Sequence, residues 1–369
     1  MARIVLVGGG HTHAEVVRRA SRLTAAGHTV TLVTPAATHP YSGMGPGMLG
    51  GTYSLADILL PVATLVGRAG GTFIQATAVS LDPNARLLTL SSGRTIAYDV
   101  LSLNIGSDPV EAAPIRERHV FTVKPIRELA RARAAIEAAC ARDGRCRIAV
   151  IGGGPAGVEV AANCAFLVRR LHARAAVDLY HASDLLARLD RTRNAWVLRY
   201  LECHGVSVHP GSRVSPADLD ADVVFSATGT RPPGVLASFG LPLAPDGALV
   251  VDEFLRSPSS ERVFAAGDCA WFSPQPLDRV GVYPVRMQPV LFANLAAIAD
   301  AVDRSLHGDP VQPDCIELTR FTATGPYLAG LNLGFGRGLL YRQLFDLRGR
   351  PAFAMKDLID RRFVRRYQP

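Results

Sequence analysis

The run Arg147-Ile148-Ala149-Val150-Ile151-Gly152-Gly153-Gly154-Pro155-Ala156-Gly157-Val158-Glu159 decides the fold. An apolar stretch of strand length opens into glycines at 152, 154 and 157, the spacing of a dinucleotide-binding strand–turn–helix. A second strand, Ala176-Val177-Asp178-Leu179-Tyr180, ends in His181, where such units usually place an acid. A carboxylate there would favour NAD through the ribose 2′-hydroxyl. Its absence leaves NAD and NADP both open, and His181 with Arg188 could tolerate a 2′-phosphate.

The pattern occurs a second time, at the N-terminus. Arg3-Ile4-Val5-Leu6-Val7 reads as a strand, Gly8-Gly9-Gly10 as the turn, Ala14 to Ala20 as a helix and Thr29 to Val33 as the next strand. Gly8 permits the tight turn, Gly10 lets backbone N–H groups approach a pyrophosphate, and the helix offers its positive end. Two positions depart from the fingerprint. His13 stands where the third glycine belongs, and Thr34 where the ribose-binding acid belongs.

At 369 residues, the chain has room for two nucleotide-sized units and a remainder. The MARIVLVGGG start lacks the cleavage pattern of a secretory signal. No run of about 18 apolar residues marks a membrane-spanning helix. Six cysteines without such a signal suggest reduced thiols in the cytoplasm. No His/Cys spacing suggests a metal site. The net charge of +8 is concentrated late, in Arg337, Arg342, Arg348, Arg350, Lys356, Arg361, Arg362, Arg365 and Arg366. Such an end can meet nucleic acid, anionic lipid or acidic protein, or form a solvated surface.

Two dinucleotide units in one chain bring a flavin beside a nicotinamide, and the redox chemistry then belongs to the cofactors. The turn Gly152–Glu159, the strand ends Asn104-Ile105-Gly106 and Ala227-Thr228-Gly229, and the stretch Arg262-Val263-Phe264-Ala265-Ala266-Gly267-Asp268 resemble the two-dinucleotide flavoprotein superfamily. Within it the chain resembles the branch of type II NADH dehydrogenases and sulfide:quinone reductases. Gly8 to His13, Pro40-Tyr41-Ser42-Gly43-Met44 and Lys356 to Phe363 are most similar to a flavoprotein domain fused to selenophosphate synthases.

The resemblance implies an α/β fold of two Rossmann-like, doubly wound domains, one inserted in the other. The FAD domain would be residues 1–106 with 243–309, the NAD(P) domain 107–242, and 310–369 a C-terminal segment over the flavin's far face. It implies FAD contacts from Gly8, Gly10, His11, Thr34, Ser42, Gly43, Val79, Gly106, Gly267, Asp268, Met287 and Gln288. NAD(P) contacts would come from Gly152, Gly154, Pro155, Ala156, Gly157, Thr228 and Gly229. Asp268 would accept from the flavin's ribityl chain. Tyr283 to Pro289 would start a helix aimed at the flavin, with Pro289 in its first turn. Glu159, Tyr41 and Lys124 are the expected catalytic residues.

Disulfide reductases of this superfamily carry two cysteines soon after the first unit. Residues 38–51 here contain none. Cys164 and Cys315 are the remaining thiols for a sulfide-type mechanism, and Cys140 and Cys146 look structural. The expected activity is NAD(P)H oxidation through FAD to a quinone-like acceptor. Alternatives are oxidation of sulfide or a selenium species, or a flavin redox sensor that docks a partner. Nucleic acid is not an expected partner, and a homodimer is left open. Met355, Leu358, Ile359, Phe363 and Tyr367 fall on one helical face among arginines. That face, like those of type II NADH dehydrogenases, could hold a cytoplasmic protein on the membrane's inner surface.

Overall fold

The computed structural model describes residues 1–110, 119–308 and 316–368. Its first part runs β1 (Arg3–Val7), α1 (His11–Arg18), β2 (Thr29–Thr34), α2 (Gly45–Leu49), β3 (Thr72–Gln75) and β4 (Val100–Leu103). Next come β5 (Val120–Thr122), α3 (Arg127–Asp143), β6 (Arg145–Ile151), α4 (Pro155–Arg170), β7 (Arg174–His181), α5 (Arg191–Cys203), β8 (Val206–Pro210) and β9 (Val223–Ser226). The last part holds β10 (Val263–Ala265), α6 (Val282–Leu306), the antiparallel strands β11 (Ala329–Asn332), β12 (Gly338–Arg342) and β13 (Phe345–Gly349), and α7 (Arg350–Arg365).

Among the described residues, the two large sheets are five-stranded and parallel, ordered β10-β4-β1-β2-β3 and β5-β9-β6-β7-β8. The fold is α/β with Rossmann-like cores. Each central strand is an unbroken apolar run, Ile4–Val7 and Ile148–Ile151, because helices cover both faces of a parallel sheet. The second sheet is formed by chain lying between β4 and β10 of the first. Both glycine turns therefore leave the carboxyl end of a central strand, where such sheets bind ligands.

Three expectations need correction. The first helix starts at His11, not Ala14, with extended Gly10 as its N-cap. Helix α6 starts at Val282, so Pro289 lies inside it rather than in its first turn. A proline tolerates that position only by giving up one helical hydrogen bond. The C-terminal stripe also splits. Tyr367 is buried and Phe363 packs on the core, whereas Met355, Leu358 and Ile359 are exposed. Ala352, Asp360 and Val364 form the buried side of α7, so the helix is rotated from the angle its apolar residues suggested. This rotation is set by packing on the β11–β13 sheet just before it and by contacts with Tyr41, Gly43 and Tyr53 near the start of the chain. By length and composition α6 could cross a membrane, but 61% of its apolar window is buried inside the fold.

Candidate active site

The two turns solve the same packing problem differently. In the second, a Cβ at Gly157 would stand 1.9 Å from the Gly152 carbonyl oxygen. Only glycine permits that approach. In the first, His13 takes the corresponding place and is fully buried. Its Nδ1 lies 2.7 Å from the Gly8 carbonyl oxygen and its Nε2 2.8 Å from Ser102 Oγ. Burial pushes its pKa down to about 4, so the ring is neutral. Nδ1–H then donates to Gly8 and Nε2 accepts from Ser102. A hydrogen-bonded wedge replaces the direct helix–strand contact.

Asn104, at the end of β4, orders the first turn. Its Oδ1 accepts from the Thr12 and His13 backbone N–H groups at 3.2 and 3.3 Å, and its Nδ2 donates to the Ala266 carbonyl at 2.6 Å. A Cβ at Gly10 would stand 2.3 Å from this Oδ1. Gly10 thus makes room for Asn104 as well as for any ligand. The sequence marked Asn104 only as part of a strand end.

His11 is the first residue of α1, and its Nε2 is buried without a hydrogen-bond partner. Its ring meets His39 and Tyr41 edge-on at 5.5 and 5.2 Å, and Tyr41 stacks on Phe363 at 4.6 Å. Burial lowers His11 to about 4 and His39 to about 3, so both are neutral. An unsatisfied neutral imidazole at a helix N-terminus is a ready donor or acceptor for a phosphate or a polar ring edge.

Asp268 and Lys124 come together nearby. Lys124 Nζ lies 2.5 Å from Asp268 Oδ2 and 3.0 Å from Ser107 Oγ, and Ser107 Oγ donates to the same Oδ2 at 2.9 Å. Burial alone would raise the Asp268 pKa. The ammonium and these hydrogen bonds outweigh it and hold the carboxyl low. Lys124 is therefore not a free surface lysine.

A second charged group gathers around Glu159. Its Oε1 accepts from the Asn332 backbone N–H at 2.7 Å. Burial lifts its pKa to about 7, with Lys356 partly opposing the rise. Lys356 Nζ donates to Asp360 Oδ2 at 2.6 Å and to the Gly43 carbonyl at 2.8 Å. Asp360 Oδ1 accepts from Tyr41 Oη at 3.1 Å. Burial works against the charged form of Lys356, but Asp360 and Glu159 keep its pKa above the ordinary lysine value. Burial raises Asp360, and burial with Asp360 raises Tyr41 well above the phenolic range. Tyr41, Asp360 and Lys356 thus form one hydrogen-bonded chain, and Glu159 is coupled to Lys356 by charge rather than by a hydrogen bond. Lys356, counted in the sequence as surface charge, is enclosed within it. The i, i+4 spacing of Lys356 and Asp360 was the available signal.

The other expected contacts are distributed as follows. Gly106 and Gly154 border open space, a Cβ at Gly229 would meet the Val110 side chain at 3.8 Å, and Pro155 and Ala156 open the α4 helix beside Gly154. Thr228 is exposed, and its hydroxyl lies 3.3 Å from Ser226 Oγ. The Gly267 N–H points at Met287 Sδ, 3.5 Å away. Gln288 donates to the His11 carbonyl at 2.8 Å and to Tyr367 Oη at 3.1 Å, so its amide braces α1 against the C-terminal residues. Thr34 is buried at the end of β2, and Ser42 opens the short helical turn that contains Gly43. Val79 stands apart, exposed on a separate antiparallel sheet with its carbonyl bonded to Ser238 Oγ.

The buried thiols fit a structural part, while Cys203 is exposed at the end of α5. Cys164 is fully buried, and burial raises its pKa well above the ordinary thiol value. Cys140 and Cys146 are also buried, and burial pushes Cys146 up to about 12. Buried thiols of this kind are unreactive. Cys315 lies outside the described residues. Among the described residues, no group of His, Cys, Asp and Glu could hold a metal ion.

The sequence model described as Pyridine nucleotide-disulphide oxidoreductase matches residues 2–288. The large subunit of the NADH nitrite reductase of Escherichia coli K12 is 29% identical over 215 residues, covering 52% of this chain and 24% of that protein. The mitochondrial internal alternative NAD(P)H-ubiquinone oxidoreductase A1 of Arabidopsis thaliana is 31% identical over 142 residues, covering 33% and 28%. The chain thus spans about a quarter of the length of these curated relatives. The sulfide:quinone oxidoreductase of Aquifex aeolicus superposes with a TM-score of 0.75 at 16% identity, over 100% of this chain and 91% of that one. At that identity the match concerns the fold.

Proposed function

The chain belongs to the pyridine nucleotide-disulphide oxidoreductase family, whose members use FAD with NAD(P)H, and from that premise we propose that it oxidises NAD(P)H and delivers the electrons to a quinone-like acceptor. The observation that carries this reading is the hydrogen-bonded chain Tyr41–Asp360–Lys356, with Glu159 of the helix that follows the second glycine turn acting on Lys356 by charge, and no thiol among them. In this reading residues 1–106 with 243–309 are the FAD unit, 107–242 the nicotinamide unit and 310–369 a C-terminal segment.

The residues present fit a flavin dinucleotide. His11 Nε2 lacks a partner at the start of α1, and Gly106 faces open space. Gly8, Gly10, His11, Gly106 and Asp268 would hold FAD. It would supply the two-electron chemistry that links a nicotinamide to an acceptor. Gly152, Gly154 and the start of α4 would hold the nicotinamide nucleotide. A quinone-like acceptor takes up protons with its electrons, and Glu159 with Lys356, Asp360 and Tyr41 can hold them.

The purified protein, supplied with FAD, is expected to lose its flavin absorbance when NADH or NADPH is added without oxygen. No bleaching with either nucleotide would sink the proposal. Turnover with a soluble quinone is expected to inflect near pH 7, as Glu159 loses its proton, and Glu159→Gln should remove that inflection.

The exposed side of α7 carries Met355, Leu358 and Ile359, followed by Arg362, Arg365 and Arg366. Leu344 and Phe345 are exposed on the neighbouring hairpin. This apolar and basic face suits an anionic lipid surface, where a quinone-like acceptor would be found. The protein is expected to co-sediment with anionic vesicles and Leu358→Glu to reduce the bound fraction. Equal sedimentation with neutral vesicles would refute lipid selectivity.

A further inference from the structure

The nucleotide preference of the second turn is written in the loops beside it. A Cβ at Gly153 would stand 2.8 Å from His181 Cβ, so the side chain at 181 is rooted directly beside the middle glycine. This is where a dinucleotide's adenosine ribose lies, and where an acid selects against a 2′-phosphate. Here the position holds an imidazole whose Nδ1 meets the Ser183 carbonyl oxygen. The His181 carbonyl accepts from the Ser212 N–H at 3.0 Å, which brings the loop after β8 alongside. Its next residue, Arg213, is exposed.

The surrounding charges are mostly committed. Arg188, the cation the sequence suggested, pairs with Asp278. Asp178 holds His209 at 2.7 Å. Asp190 caps α5 through the Thr192 and Arg193 N–H groups and pairs with Arg193. Asp184 is exposed three residues beyond His181. No carboxylate occupies the ribose position, and an arginine stands in the adjoining loop.

We propose that this turn prefers NADPH to NADH, with His181 and Arg213 receiving the 2′-phosphate; the inference rests on reading the turn as a nicotinamide-nucleotide site. A guanidinium binds phosphate through paired charge-assisted hydrogen bonds. An imidazole in place of the acid removes the repulsion that would exclude it.

The test is calorimetric binding of ADP-ribose and 2′-phospho-ADP-ribose, which lack the reactive ring, to the FAD-loaded full chain. The phosphorylated fragment is expected to bind more tightly, by about tenfold or more. Arg213→Ala, on the surface, should remove most of that difference, and His181→Glu should reverse it. Equal or tighter binding of ADP-ribose overturns the inference, as does a ratio unmoved by both substitutions. If neither fragment binds a chain whose circular dichroism is native, the reading of the turn as a nicotinamide site fails instead.

Discussion

Lys356→Met is expected to be among the most damaging single substitutions in the crevice, lowering folding stability by roughly 3–5 kcal/mol near neutral pH. The ammonium is enclosed, with side-chain exposures of 13% for Lys356 and 7% for Asp360. It donates to Asp360 and to the Gly43 carbonyl and is further favoured by the charge of Glu159. Methionine fills the volume but leaves two carboxyls without their cation. The loss should depend on pH in a defined direction. Burial already holds the Glu159 pKa at about 7 in the folded chain against 4.5 as the reference. The folded state therefore binds more protons than the unfolded state between those values, and this group's contribution falls as pH rises through them. Removing Lys356 raises the folded pKa of Glu159 and Asp360 further. The cost of the substitution should thus be smaller at pH 5 than at pH 8. Denaturant unfolding at both pH values measures it. Equal losses would show that the lysine acts by packing alone. Adding Asp360→Leu should recover part of the stability, because a buried pair replaced on both sides costs less than one broken on one side.

The second large effect is expected at Gly157. An alanine Cβ would overlap the Gly152 carbonyl oxygen, so α4 must move away from β6. Overpacking of this kind costs about 1–3 kcal/mol. The functional loss should be larger. Displacing the helix start by about 1 Å misplaces the N–H groups that face a pyrophosphate, and should raise the NAD(P)H concentration for half-maximal flavin bleaching on the order of 100-fold. Gly154→Ala separates the two effects. A Cβ there meets nothing within 4 Å, so stability should hold while nucleotide binding weakens. If Gly157→Ala binds NAD(P)H normally, α4 does not carry the site.

How much of this was legible depends on distance along the chain. The glycine turns were readable because their requirements are local: a strand, a tight turn and a helix within about 30 residues. The α/β class followed from them. Pro289 misled because a proline favours a first turn on average, whereas Pro284 and the packing of α6 on α1 extend the helix upstream. Lys356 misled for a different reason. Its charge read as surface, and the docking of α7 against Gly43, Tyr41 and the β11–β13 sheet encloses it. Hydrophobic periodicity gives a helix's apolar side but not the rotation that distant partners impose. Asn104 was visible as a motif member, yet its service to α1 depends on two strands and a helix meeting.

The wedge at His13 bears on how family resemblance is used in engineering. A consensus-guided redesign would restore glycine at that position to complete the fingerprint. In this protein the change would empty the buried space His13 fills and strip the Gly8 carbonyl and Ser102 of their partner. The fingerprint records one way to pack this joint; here the joint is packed around an imidazole, and stabilising this chain means keeping it.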